Sequence, residues 1–84
     1  MTLIIDDELM NVLVISEMLQ NLNVQSISAF TGMQAIEIVK DRVNQILQGS
    51  NGLDKLVFKL ILLDYSMPEM SGPEVAIAIR RIVD

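Results

Sequence analysis

The chain opens with a short apolar, β-branched run, Thr2 to Ile5, that stops abruptly at Asp6, Asp7 and Glu8. A run of this length bounded by polar residues predicts a buried strand ending at a polar mouth. From Leu9 to Leu22 apolar residues recur at helical spacing at Val14, Ile15, Met18, Leu19 and Leu22, so length and period predict a helix, although Val12 to Ile15 alone fits a strand. Val24 to Phe30 lacks a clean polar face and predicts a weak second strand. Thr31 followed by Gln34 has the form of a capping box, in which a hydroxyl and an amide satisfy orphan helix N–H groups. Ala35, Val39, Val43, Ile46 and Leu47 form a stripe behind it, and a second helix is predicted to run to Gln48.

Gly49, Ser50, Asn51 and Gly52 join a helix-stop glycine to turn residues and predict a chain reversal. Val57 to Leu63 supplies a third apolar strand, continuous rather than alternating, which predicts burial on both faces between layers of helices. This run also ends on an aspartate, Asp64. After Met67, Pro68, Glu69 and Met70, Ser71 begins a second capping box with Glu74, and Pro73 falls in the first turn, where its missing N–H costs nothing. The third helix carries Val75, Ala76, Ile79, Ile82 and Val83.

Strands and helices therefore alternate, which implies right-handed crossovers and an α/β fold with a parallel sheet. In such sheets ligands sit beyond the carboxyl ends of the strands, where the strand order reverses. If the first and third strands are neighbours, Asp6, Asp7 and Asp64 converge there.

Length and composition narrow the functions open to this pocket. The 84 residues make one domain, spanning 1–84. A chain this short buries only about 60 to 65% of its unfolded surface, so its core is thin. Six basic residues against eleven acidic ones give a net charge of −5, and the basic residues are scattered, leaving no stripe to neutralise a nucleic-acid backbone. Cysteine and histidine are both absent, which removes disulfides, thiolate metal sites and the commonest general base. No apolar run approaches the roughly 18 residues of a membrane span, and no secretory signal opens the chain, so a cytoplasmic location is expected.

Three crowded carboxylates repel one another unless a cation sits among them. Oxygen ligands with neither His nor Cys suit Mg²⁺ rather than zinc or copper. An aspartate beside such an ion can also act as a nucleophile and take a phosphoryl group as an acyl phosphate. The bland alternative is that these acids solubilise loops or cap helices, with Asp7 or Glu8 simply favouring the positive end of the first helix. No glycine-rich phosphate loop is present to cradle a nucleotide. Ser66, where aspartate-based phosphohydrolases carry a second aspartate, weighs against that enzyme class. Met67 and Met70 read as packing filler in a surface turn.

Ile4-Ile5-Asp6-Asp7-Glu8, together with Leu60-Ile61-Leu62-Leu63-Asp64-Tyr65-Ser66-Met67-Pro68-Glu69-Met70-Ser71-Gly72, resembles the receiver domain of two-component response regulators and hybrid histidine kinases. The second segment is the more specific. The resemblance implies a flavodoxin-like, receiver-type three-layer α/β/α fold, truncated after the third βα unit of a family that has five in the order 2-1-3-4-5. It implies that Asp64 accepts a phosphoryl group from the phosphohistidine of a histidine kinase or histidine phosphotransfer domain. Asp7 would then ligate Mg²⁺ directly, Asp6 directly or through water, Asp64 would join the ligand set, and Ser66 would offer its backbone carbonyl. Glu8 would border the pocket, and Pro68 and Gly72 would shape the turn into the third helix.

Departures from the family pattern matter as well. The hydroxyl residue that ends the fourth strand and the lysine that ends the fifth have no counterpart, and Lys40, Lys55 and Lys59 do not follow a strand at the pocket. The stretch from Asp41 to Phe58 is also longer than the usual link before the third strand. The expected function is a phosphoacceptor signalling module of a phosphorelay, not an enzyme beyond self-catalysed phosphotransfer and dephosphorylation. The alternatives are a docking or pseudo-receiver fragment that is not phosphorylated and, less favoured, a Mg²⁺-dependent phosphohydrolase. A third strand without its next neighbour is a poor sheet edge, so partial unfolding, aggregation or self-association through that strand is expected.

Overall fold

The computed structural model describes residues 1–48, 58–64 and 67–83. The predicted turn at Gly49 to Gly52, the start of the third apolar run at Val57, and Ser66 lie outside the described residues.

Strand β1 (Thr2–Ile5) is buried along its whole length and forms the middle of the sheet. On one side it pairs in parallel with β2 (Ser26–Ala29), Thr2 opposite Ser26 and Ile5 opposite Ala29. On the other it pairs in parallel with β3 (Leu60–Leu63), Thr2 opposite Leu60 and Ile5 opposite Leu63. The order β2-β1-β3 makes the first and third strands neighbours, as the site hypothesis requires.

Alternation along the pleat sends Leu3 and Ile5 to one face, where they join Ala29 in a core with Ala35 and Val39 of α2 (Gly32–Leu47) and Val75 and Ile79 of α3 (Gly72–Val83). Ile4 points to the other face, beside Ile15 of α1 (Leu9–Asn21). Helices thus flank the sheet on both sides, giving three layers.

The helix ends follow their local chemistry. Gln34 N–H donates to Thr31 Oγ1 at 3.0 Å, and Gln34 Oε1 accepts from Phe30 N–H at 2.8 Å, one residue earlier than a standard capping box. At α3, Glu74 N–H donates to Ser71 Oγ at 3.4 Å, while Glu74 Oε1 accepts from Ser71 N–H at 3.3 Å and from its hydroxyl at 3.0 Å. Glu74 in the first turn and Arg80 and Arg81 in the last both complement the dipole of that helix. α1 closes differently. Asn23 takes a left-handed φ of 60°, and Val24 N–H reaches back to the Leu19 carbonyl at 2.8 Å.

Gly32 is required by a close approach. A Cβ there would lie 2.7 Å from Val75 Cγ2 and 3.0 Å from Met70 Sδ, so α2 and the start of α3 meet where only hydrogen fits.

Several predicted core positions are corrected by the structure. In α1 the buried residue is Val12, with Ile15 and Leu19 half-buried, while Val14, Met18 and Leu22 are 53%, 61% and 70% exposed. Leu9, Met10 and Leu13 are exposed too, so this helix is apolar nearly all round and its period could not single out the inward face. In α2, Ile36 is buried and Leu47 is 77% exposed; in α3, Ala76 is exposed. β3 is not buried on both faces: Leu60 is 49% exposed and the rest is half-buried, because β3 stands at the sheet edge and α1 packs on β1 and β2.

Candidate functional site

Adjacent parallel strands that stop at the same level deliver their next residues to one place. Asp6 N–H donates to the Ala29 carbonyl at 3.1 Å, and Asp64 N–H donates to the Ile5 carbonyl at 2.9 Å, so both acidic positions are still tied to a neighbouring strand. Their side chains, with that of Asp7, form a cluster whose carboxylate oxygens all lie within 4.8 Å of one another. Asp6 is buried, Asp64 half-buried and Asp7 exposed. The cluster therefore grades from the sheet end out to solvent.

Asp6 is the most constrained of the three. Its Oδ1 accepts from Glu8 N–H at 2.9 Å and its Oδ2 from Asn11 Nδ2 at 3.2 Å. The short loop from β1 into α1 thus fixes the carboxylate plane and supplies the helix start at once. Glu8 occupies the cap position of α1 but makes no side-chain capping bond. Asp6 instead closes a local turn onto the Glu8 N–H just ahead of the helix.

Like charges this close repel by roughly 1 kcal/mol per pair in bulk water and about 3 to 4 kcal/mol at the effective dielectric of a protein surface. A cation among them reverses the sign of that term. The donor set fits Mg²⁺, since three carboxylates with one open to solvent leave room for retained water.

Two cavities flank the cluster. One of 130 Å³ is lined by Asp7, Phe30, Thr31, Gly32 and the Met67–Met70 turn. Another of 240 Å³ runs beneath, with Ile4, Ile15, Leu62 and Leu63 as apolar walls and Asp6 and Asp64 at its acidic end. A wider groove of 690 Å³, bordered by Met1, Ser16, Gln20 and Ser26, contains no acidic or basic side chain and carries no comparable chemistry.

The structure therefore brings Asp6, Asp7 and Asp64 together, and Ser66 lies outside the described residues. Pro68 lines the smaller cavity, and Gly72 is buried as the first residue of α3. Met67, at the start of the Met67–Met70 turn, packs into the core, with Met70 packed against it. Sequence reasoning missed Asn11, whose only signal is its place in the first turn of the helix that follows the acidic run. It also missed Phe30 and Gly32, which have no chemical signature of their own.

No family model matches the chain, and no curated protein is significantly similar to it. Solved structures are similar. The receiver domain of the histidine kinase CKI1 from Arabidopsis thaliana, complexed with Mg²⁺, is 30% identical with a TM-score of 0.83, over 96% of this chain and 56% of that one. The same domain complexed with Mg²⁺ and BeF₃⁻ is 29% identical with a TM-score of 0.83, over 96% of this chain and 54% of that one. The chain thus spans little more than half the length of the receiver domains it matches. Three parallel strands in the order β2-β1-β3 with helices on both faces make this a flavodoxin-like receiver fold over that length.

Proposed function

We propose that this chain is the acceptor part of a receiver module in a two-component phosphorelay, taking a phosphoryl group on Asp64 from the phosphohistidine of a histidine kinase or histidine phosphotransfer domain. The observation that carries this reading is the meeting of Asp6, Asp7 and Asp64 at the ends of adjacent strands. Receiver structures 29% and 30% identical to the chain hold Mg²⁺, which supports the same ion here.

Asp64 acts as the nucleophile. One carboxylate oxygen forms a bond to phosphorus while the bond from phosphorus to the imidazole nitrogen breaks, and the leaving imidazole keeps the electron pair. Such transfers depend on positioning and charge neutralisation more than on a base, so the lack of histidine is no obstacle. Asp6, Asp7 and Asp64 would hold Mg²⁺, joined by the Ser66 carbonyl as the resemblance implies, and the ion would supply neutralisation of phosphoryl oxygens arriving at the cluster. Asp6 is held in place by Glu8 N–H and Asn11.

The module acts stoichiometrically and not as a turnover enzyme, and works in the cytoplasm. No helix among the described residues is long and apolar enough to cross a membrane.

A second reading, a docking module that is not phosphorylated, is favoured by one observation. Among the described residues the two cavities beside the cluster are lined by no lysine or arginine, and the one hydroxyl, that of Thr31, is engaged in capping α2.

Intact-mass spectrometry after incubation with a small-molecule phosphodonor separates the two readings. A gain of one phosphoryl group that needs Mg²⁺ and is lost in Asp64→Asn is the expected result. An unchanged mass in a folded sample would leave the docking module as the account.

A further inference from the structure

The three carboxylates of the cluster are held very differently. Asp6 is only 9% exposed and carries a donor on each oxygen, Glu8 N–H on Oδ1 at 2.9 Å and Asn11 Nδ2 on Oδ2 at 3.2 Å. Among the described residues no hydrogen bond reaches the carboxylate of Asp7 or Asp64. Two of the acids are therefore free to turn toward an ion, and one is fixed before the ion arrives. The two donors on Asp6 also differ in kind. Glu8 N–H belongs to the backbone and is present whatever side chain stands there. Asn11 is an exposed side chain in the first turn of α1, a place from which an amide reaches back past the helix start. Acid and donors all lie between Asp6 and Asn11, so the end of β1, its loop and the first turn of α1 set this arrangement by themselves.

What a fixed acid does depends on the ion it meets. Mg²⁺ is small, demands near-ideal octahedral geometry and keeps several of its waters. Ca²⁺ is larger, accepts about six to eight oxygens in irregular arrangements, and takes a carboxylate through one oxygen or both. Pinning the plane of Asp6 favours the first ion and handicaps the second. The group presents the same oxygen in the same place each time, and it resists swinging round to chelate with both.

We infer that Asn11 is a positioning residue that biases the Asp6, Asp7 and Asp64 site toward Mg²⁺ over Ca²⁺ by fixing the Asp6 carboxylate. The inference rests on the acceptor-site reading above and adds to it what chooses the ion. Asn11 acts through Asp6 and not on the ion itself. Partners that orient a ligand in this way typically change metal affinity by about ten- to a hundredfold, and a bond at an exposed side chain belongs at the lower end of that range.

Thermal unfolding of the 84-residue chain, titrated separately with Mg²⁺ and with Ca²⁺, tests this on the parent, Asn11→Ala and Asn11→Gln, with circular dichroism confirming that each is folded. Because Asn11 is exposed, Asn11→Ala is expected to unfold near the parent's Tm in ion-free buffer, which separates its effect on the ion from any effect on the fold. The Mg²⁺ concentration giving half the maximal rise in Tm is expected to increase about tenfold in Asn11→Ala, while that for Ca²⁺ moves much less. Asn11→Gln, whose amide reaches back from the same turn, is expected to restore most of the loss. An unchanged Mg²⁺ response in Asn11→Ala would overturn the role given to Asn11, as would a glutamine variant as weak as the alanine one. Equal weakening for both ions would overturn the bias toward Mg²⁺. A parent chain whose Tm answers to neither ion would overturn the acceptor-site reading itself, and this inference with it.

Discussion

On one face of the sheet, Leu3, Ile5 and Ala29 lie under Ala35, Val39, Val75 and Ile79, and every one of these side chains is buried. On the other face α1 covers Ile4 with Val12 and Ile15 and packs mainly on β1 and β2, leaving Leu60 half-exposed and an open groove beside Leu62. The sequence is about as apolar on both sides. What differs is how many helices lie over each strand, so burial here follows coverage rather than hydrophobicity. α1 itself repeats the lesson, with Leu9, Met10, Leu13, Val14 and Met18 all turned to solvent.

If the two faces differ in this way, substitutions should separate them. The largest effect is expected at Leu3, where Leu3→Ala removes a fully buried side chain from between two helices and the sheet. A loss of about 3 to 5 kcal/mol is expected, enough to unfold a small domain. Leu60→Ala on the open side should cost less than about 1 kcal/mol, and equal costs in urea unfolding would erase the distinction. Gly32→Ala is expected to cost about 1 to 3 kcal/mol, because the new methyl would meet Val75 Cγ2 at 2.7 Å. A neutral result there would mean that α2 and α3 can separate cheaply. Thr31→Ala removes the acceptor for Gln34 N–H and should lower stability by about 1 kcal/mol. Smallest of all, Met18→Gln on the outer side of α1 should stay within about 0.5 kcal/mol of the parent and improve solubility.

The same contrast explains which features were legible in the sequence. Both capping boxes, at Thr31 with Gln34 and at Ser71 with Glu74, were readable because a cap is a bargain between residues three apart. β1 was readable because Thr2 to Ile5 is apolar and Asp6 stops it. The convergence of Asp6, Asp7 and Asp64 needed one further assumption, that β1 and β3 are neighbours, and the sheet order supplies it. The inward face of α1 was not readable, since a helix apolar on most sides has no phase to detect. Nor was the half-exposure of β3, because a continuous apolar run looks the same in the middle of a sheet as at its edge. Asn11 escaped notice for a related reason: its bond to Asp6 depends on the angle at which α1 leaves β1, which no local spacing encodes.

The central claim is that the acidic end of the sheet is a cation site built by β1 and β3 together. The most direct test is thermal unfolding of the chain titrated with Mg²⁺ alone, compared with Asp7→Asn and Asp64→Asn. A ligand that binds only the folded state stabilises it by about 2.7 kcal/mol at one hundred times its Kd. The account predicts a saturable rise in Tm for the parent chain that each substitution reduces, one from either strand end. A Tm indifferent to Mg²⁺, or a rise of the same size in both variants, would contradict it and return the three aspartates to the role of helix caps and solvent-facing acids.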